Sequence, residues 1–235
     1  MQPSGNKRVE NGQSTPRPLI ASVRGKGRML KRICNRTIGW LAILTPMWFA
    51  VIYFVMSSLH PNYSHSTKAI SELGSLDAPN RWAWNIGGYI LPGLAISLLG
   101  VGLARHFDGE KGASWVARPL MASGLFMAMS GVFPGDFLNR TSPTMLLHAI
   151  GAFGSFIAFL VCAFSAPALL RRYAGWRAYV WPSTAIVILS IASGFFRSGN
   201  APGLGQRMGF LLFFMWIGLL GYGLIRNSQP VRSTA

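Results

Sequence analysis

The fold is decided by a stretch that contains no Lys, Arg, Asp or Glu, TSPTMLLHAIGAFGSFIAFLVCAFSAPALL at residues 141–170. A helix needs about 20 apolar residues to cross the hydrocarbon core of a bilayer. Lipid offers no hydrogen-bond partners, so such a segment must satisfy its own backbone groups as a helix. The stretch therefore predicts a transmembrane helix, preceded by an interfacial turn.

Five further apolar stretches lie along the chain, at residues 38–59, 82–104, 119–135, 178–196 and 208–225. Apolar residues make up 51% of the chain and charged residues 12%, about half the charged fraction of soluble domains. The stretches lack a period of two, which argues against transmembrane strands. The sequence predicts an all-α membrane protein, a six-helix transmembrane bundle. Its weakest stretch is 119–135, because Arg118 at the entrance must extend its side chain to the interface.

Three segments follow from this pattern. Residues 1–35 form a polar, basic tail that is predicted to be disordered. Residues 36–226 form the transmembrane domain, with helices at about 38–59, 82–104, 116–134, 144–168, 178–196 and 208–225, and residues 227–235 form a second tail. Pro92 and Pro182 lie inside the second and fifth helices and predict kinks there.

The basic residues predict the orientation. If the N-terminus is cytoplasmic, 17 of the 22 Lys and Arg residues fall on the inner segments. The outer loops hold the other five, Lys68, Arg81, Arg140, Arg197 and Arg207. Cytoplasmic loops carry an excess of basic residues, so both termini are predicted to be cytoplasmic, in a multi-pass protein of the inner membrane. The net charge of +16 is therefore first a topology signal.

The basic N-terminal tail has two interpretations, a topology determinant or a patch that binds anionic lipid. Nucleic-acid binding is not expected, because no folded basic module with interleaved aromatic residues accompanies the tail. The sequence contains no CxxC, HExxH, Walker or GxGxxG motif, so no cofactor is predicted. The oligomeric state is left open.

The first outer loop, residues 60–80, contains a predicted short helix. Ser64 or Ser66 is placed at its N-cap and Gly74 at its end. Glu72 is either part of a functional site or simply a solvated partner of Lys68 four residues earlier.

The second outer loop begins with a turn at Pro134-Gly135, which directs Asp136 to the outer surface. His148 follows inside the fourth helix, where an imidazole needs a partner, either a functional group or a neighbouring backbone group. In the third outer loop, Arg197 and Arg207 are each either an interfacial cation or a partner for Asp136, Glu72 or an anionic lipid headgroup. In the enzyme hypothesis, Arg197 is the clamp for a phosphate or carboxylate.

Topology gathers many polar residues on the outer side. They are Glu72, Asp77, Asp136, His148, Arg140 and Arg197, together with His60, His65, Ser64 and Asn85. A candidate polar site is predicted from six of them, Glu72, Asp136, His148, Arg197, Asn85 and Ser64. Carboxylate, imidazole and cation are the components of a general acid–base site. His60, His65, His148 and Asp136 are weaker candidates as zinc ligands, without diagnostic spacing.

Several of these residues carry a resemblance to a prokaryotic membrane-protein family, domain of unknown function 998. The similar motifs include Ile70-Ser71-Glu72-Leu73-Gly74, Gly131-Val132-Phe133-Pro134-Gly135-Asp136 and Leu147-His148, with Tyr63-Ser64 and Asn85-Ile86-Gly87 between helices. The resemblance covers roughly residues 38–225 and leaves out the basic tail. It implies a six-helix membrane protein and brings no known activity, substrate or cofactor.

Three functional hypotheses remain open. The first is a non-enzymatic membrane protein whose outward-facing polar site binds a lipid or small molecule. The second is a membrane-embedded hydrolase or transferase acting on an outer-leaflet lipid through Glu72, Asp136 and His148. The third is a small transporter, although no carboxylate lies at mid-membrane.

Overall fold

The computed structural model describes residues 18–197 and 202–228, and this part of the chain is helical without any β-strand. Six long helices follow one another along the sequence: α1 Pro18–Leu59, α2 Arg81–His106, α3 Ala113–Val132, α4 Pro143–Leu170, α5 Ala174–Phe195 and α6 Pro202–Arg226. The prediction of an all-α fold is confirmed. The helix positions agree with the sequence prediction to within a few residues, except at the starts of α1 and α6.

Five of these helices are long and apolar enough to span a membrane. The qualifying segments are Cys34–Leu59, Arg81–His106, Pro143–Leu170, Ala174–Phe195 and Gly203–Arg226. The remaining long helix, α3, contains the stretch that the sequence marked as weakest. It packs between α2 and α4 and carries Arg118 together with several serines, which lower its hydropathy.

Helix α1 differs from the predicted tail. It begins at Pro18 and runs for 42 residues, so residues 18–35, predicted as disordered, have a helical backbone. Proline is compatible with the first turn of a helix, where its missing N–H has no intrahelical partner. The following segment continues without a helix-stopping proline into the span at Cys34. Residues 1–17 lie outside the described part of the chain.

Both predicted kink prolines follow a change of helix type. In α2 a π-helical segment, Asn85–Ile90, precedes Pro92, and in α5 a 3-10 segment, Ala174–Tyr179, precedes Pro182. Proline lacks the N–H that an α-helix requires and clashes with the carbonyl four residues earlier, so the preceding turn changes its hydrogen-bond pattern.

Small residues bring neighbouring helices into backbone contact. A Cβ atom at Gly93 of α2 would lie 2.5 Å from the carbonyl oxygen of Gly124 in α3. A Cβ atom at Gly39 of α1 would lie 2.7 Å from the carbonyl oxygen of Gly221 in α6. Such contacts provide the close packing that drives helix association in membranes.

The connections at one end of the bundle are longer than at the other. We call this end, formed by residues 60–80 and 133–142 and by the start of α6, the long-loop end. Residues 60–80 contain a 3-10 helix, Ile70–Gly74, named here the loop helix. It ends at Gly74 as predicted but begins after Ala69, whereas Ser64 caps a separate turn by accepting from the backbone N–H of Thr67 at 3.3 Å.

Backbone groups of the loop at residues 60–80 form hydrogen bonds with α6 and with the loop at residues 133–142. The N–H of Ile70 donates to Oε1 of Gln206 in α6 at 2.6 Å. The N–H of Gly203, also in α6, donates to the carbonyl of Ser66 at 2.8 Å. The N–H of Leu76 donates to the carbonyl of Gly135 at 2.9 Å. The loop helix therefore covers the end of the bundle, with Ile70 packed in the core.

Candidate functional site

A cationic cluster occupies the seam between α1 and α6 at the long-loop end. Nε of Arg207 donates to the hydroxyl of Tyr53 at 2.7 Å, and Nη2 donates to the hydroxyl of Tyr63 at 2.7 Å. Nη1 donates to the carbonyls of Lys68 at 2.9 Å and Gly203 at 2.7 Å. The guanidinium carbon lies 5.6 Å and 5.5 Å from the centroids of the Tyr53 and Tyr63 rings. We call these five residues the Arg207 cluster.

The hydrogen-bond acceptors that surround the Arg207 guanidinium are neutral groups. Among the described residues, Lys68 and Glu72 form the one ion pair, with Nζ and Oε2 3.9 Å apart, and no carboxylate lies within 4.0 Å of Arg207. Burial raises the pKa of Tyr63 above its ordinary value of 10.0, although the Arg207 charge opposes this effect. The Tyr63 phenol is therefore neutral at physiological pH, and the half-buried guanidinium keeps a net positive charge.

A second cluster lies beneath the loop helix, at the start of the π-helical segment of α2. Nδ2 of Asn85 donates to the carbonyl of Gly74 at 2.9 Å and so fixes the end of the loop helix. Oδ1 of Asn85 and Nε1 of Trp84 are buried without a partner in hydrogen-bond geometry, although the Trp84 side chain lies beside that of Tyr89. Both side chains are 0% exposed. The Trp84 ring packs against Tyr53, with centroids 6.3 Å apart, which connects this cluster to Arg207.

His148 lies on the first turns of α4 and is 4% exposed. Its Nδ1 is 2.9 Å from the carbonyl oxygen of Ser130 and 3.0 Å from that of Phe133, at the end of α3. Carbonyls only accept hydrogen bonds, so Nδ1 carries a hydrogen and donates to both. The imidazole therefore joins α4 to the end of α3. Its ring centroid lies 6.0 Å from that of Tyr89.

The two predicted carboxylates bond within their own loops. Oε1 of Glu72 accepts from the backbone N–H of Ala69 at 2.7 Å, at the start of the loop helix. Oδ1 of Asp136 accepts from the backbone N–H of Asn139 at 2.9 Å. At Asp77, a hydrogen bond from the Ser75 side chain is the largest cause that holds the pKa of the carboxyl below its usual 3.8. Each carboxylate stabilises a local turn.

The other predicted residues are dispersed. Ser64 Oγ lies 3.1 Å from Ser66 Oγ on the exposed part of the loop, and Arg140 is exposed. The side chain of Arg197 lies outside the described part of the structure. His60 bonds through Nδ1 to the carbonyl of Pro61 at 2.8 Å, and His65 bonds through Nδ1 to the hydroxyl of Tyr53. Within the described residues, no three His, Cys, Asp or Glu side chains converge as metal ligands.

Comparison with known proteins places this chain in a family. The family model described as "Protein of unknown function (DUF998)" matches residues 43–223. The chain belongs to the DUF998 family. No curated protein and no solved structure matches it. The match confirms the resemblance drawn from the loop motifs, and it covers nearly the same residues.

The matched region of this DUF998 protein contains both clusters, from Tyr53 to Arg207. Asn85 is among the predicted site residues, and Arg207 is predicted as an interfacial cation or as a partner for a carboxylate or lipid headgroup. Its hydrogen bonds to Tyr53 and Tyr63 are not predicted. Tyr53 falls within an apolar run, and Trp84 lies near a predicted interface, where aromatic residues are common without any ligand. The available signal is an arginine next to the sixth apolar stretch. Because α6 begins about two turns before that stretch, Arg207 lies inside the helix and next to apolar residues.

Proposed function

We propose that this protein is a multi-pass protein of a bacterial inner membrane with cytoplasmic termini, whose outward-facing long-loop end binds an anionic ligand at Arg207. The ligand group is a phosphate or carboxylate, carried by a lipid headgroup or by a small molecule. The observation that carries the proposal is the half-buried guanidinium of Arg207, which has no carboxylate within 4.0 Å among the described residues.

An anion can replace the neutral acceptors that now accept hydrogen bonds from Arg207. Its four hydrogen bonds go to two phenol oxygens and two backbone carbonyls, all of them neutral acceptors. Arginine frequently forms bidentate pairs with phosphate and carboxylate groups, which adds both energy and geometric specificity. A phosphate or carboxylate therefore competes favourably for the same N–H groups, and Lys68 supplies a second cation on the adjacent loop.

The position of Arg207 also suits a ligand that arrives from the bilayer. Leu204, Met208 and Leu211 lie on the neighbouring turns of α6 and are exposed. Exposed apolar side chains at helical spacing form a lipid-facing surface in a membrane helix. An anionic headgroup at Arg207 would therefore have its acyl chains beside this surface.

The other two hypotheses draw less support from the contacts. Glu72, Asp136 and His148 all bond to backbone groups of their own or adjacent segments, so a shared acid–base role would require them to leave these bonds. A transport path from Arg207 would have to pass the aromatic core below it, where the Phe49 and Phe214 ring centroids are 4.3 Å apart.

Binding of short-chain lipids to the purified protein tests the proposal. Dihexanoyl phosphatidylglycerol is expected to raise the melting temperature of the wild type, whereas dihexanoyl phosphatidylcholine is not. Arg207→Gln should weaken binding by about 10- to 100-fold, because a hydrogen bond to a charged group contributes about 1.5–3 kcal/mol. Glycerol 3-phosphate in a parallel titration distinguishes a free phosphate from a lipid headgroup.

The matched control is Arg226→Gln, at the opposite end of the same helix. Arg226 lies 5.9 Å from the Tyr222 ring and has no contact with the long-loop end. This variant should bind the lipid as the wild type does. Equal lipid binding by Arg207→Gln and the wild type would contradict the proposal. If Arg207→Gln does not fold, Arg207→Lys retains the charge and should show intermediate affinity, because lysine lacks the planar fork.

A further inference from the structure

One donor and one acceptor are left unpaired side by side beneath the loop helix. The indole N–H of Trp84 and the amide oxygen of Asn85 belong to consecutive residues, and both atoms are buried without a partner. A Cβ atom at Gly74 would overlap with Asn85 Oδ1 and would lie 2.6 Å from Cδ1 of Trp84, the carbon bonded to Nε1. Both polar groups therefore border the same face of the loop helix.

We propose that Trp84 Nε1 and Asn85 Oδ1 form a subsite for a hydroxyl group of the ligand whose anionic group binds Arg207. The inference rests on the proposed function. A hydroxyl is the smallest group that accepts from an indole N–H and donates to an amide oxygen at the same time. A ligand hydroxyl thus satisfies both of the groups that the closed loop leaves unpaired.

Tyr53 contacts residues of both subsites. Tyr53 lies between them, since its hydroxyl accepts from Arg207 and its ring packs against Trp84. The guanidinium carbon is 5.6 Å from the Tyr53 ring centroid, which is 6.3 Å from that of Trp84. An anionic phosphodiester with a hydroxyl a few bonds away matches this arrangement, as in a glycerol headgroup.

A ligand can reach this subsite only if the loop helix moves away from the bundle. The contacts of Arg207 couple this movement to binding of the anionic group. Arg207 holds the loop through the carbonyl of Lys68, and its neighbour Gln206 holds it through the N–H of Ile70. An anion that takes the Nη1 donors releases the Lys68 carbonyl. Burying an unpaired donor and acceptor is unfavourable, so the closed loop already carries a cost that opening relieves.

Two short-chain lipids of equal charge test the subsite. Dihexanoyl phosphatidylglycerol carries headgroup hydroxyls and dihexanoyl phosphatidylmethanol carries none. The wild type is expected to bind phosphatidylglycerol about tenfold more tightly, from the added hydrogen bonds. Trp84→Phe and Asn85→Leu should each abolish this preference, because each removes one of the two groups that contact the hydroxyl. Trp181→Phe, at an exposed position, is the matched control and should keep the preference.

The outcomes separate this inference from the proposed function. Equal affinity of the wild type for the two lipids overturns the subsite, even when Arg207→Gln still loses binding of both and the proposed function stands. A preference that survives in both Trp84→Phe and Asn85→Leu also overturns it, because the hydroxyl is then recognised elsewhere. The comparison of the two lipids uses only the wild type, so it remains decisive even if a variant fails to fold. Binding of neither lipid rejects the subsite, and it rejects the proposed function as well unless glycerol 3-phosphate binds at Arg207.

Discussion

Two fully buried tryptophans differ in the surroundings of a single nitrogen atom. Nε1 of Trp216 donates to Oγ of Ser183, which joins α6 to α5. Nε1 of Trp84 has no partner. Buried polar groups are almost always hydrogen-bonded, and the exceptions call for an explanation. At Trp84 the proposed hydroxyl subsite supplies one.

This difference predicts unequal effects of the same substitution. Trp216→Phe removes a buried hydrogen bond and leaves the Ser183 hydroxyl unpaired, so it should lower stability by about 1–3 kcal/mol more than Trp84→Phe does. Both changes remove a similar ring volume, so the comparison isolates the hydrogen bond. The melting temperatures of the two variants in the same detergent provide the measurement. An equal or larger loss in Trp84→Phe would show that its indole N–H is paired in the ligand-free protein.

At the scale of the helices, α2 and α3 approach through glycine. Gly93 and Gly124 lie opposite each other, and a Cβ atom at Gly124 would overlap with the carbonyl oxygen of Gly93. Oγ of Ser97 donates to the carbonyl of Met121 at 2.9 Å across the same interface. Small residues let helix backbones approach closely, and these contacts lie within the bundle. The close packing also accommodates α3, the long helix that is not among the five that are apolar enough to span a membrane.

Gly124→Ala should destabilise the bundle by about 1–3 kcal/mol, because the added methyl group meets backbone that cannot move without separating α2 from α3. Gly194→Ala is the matched control, since a Cβ atom there has no neighbour within 4 Å. It should leave the melting temperature within the error of the measurement. A wild-type melting temperature for Gly124→Ala would mean that the two helices are not in backbone contact.

On the scale of the whole molecule, the helices alternate in direction, so the start of the first span and the end of α6 lie at the same end of the bundle. Near this end Nη1 of Arg105 donates to Sγ of Cys34 at 2.9 Å, and Nε1 of Trp176 donates to Nε2 of His106 at 2.9 Å. The predicted inner loops and most of the basic residues belong to this end. The proposed orientation therefore leaves the long-loop end, with Arg207, on the outer side.

Reporter fusions test this orientation. A fluorescent protein that folds only in the cytoplasm should be active when fused after Ala235. A phosphatase that is active only outside the cytoplasm should be active when fused after Asn62, in the loop between α1 and α2. The reverse pattern at both sites would invert the bundle and place the Arg207 cluster on the cytoplasmic side.

The sequence by itself determined the helical fold, the order of the helices and the family, because apolar runs of membrane-spanning length leave the backbone no alternative to a helix. It also identified the loop that carries Glu72 and the helix that carries His148. Only the tertiary structure decided which polar groups meet. Glu72, Asp136 and His148 found backbone partners nearby, whereas Arg207, Tyr53 and Tyr63 converge from α6, α1 and the loop. Contacts between distant segments depend on how helices pack and rotate, which hydrophobic patterns do not specify.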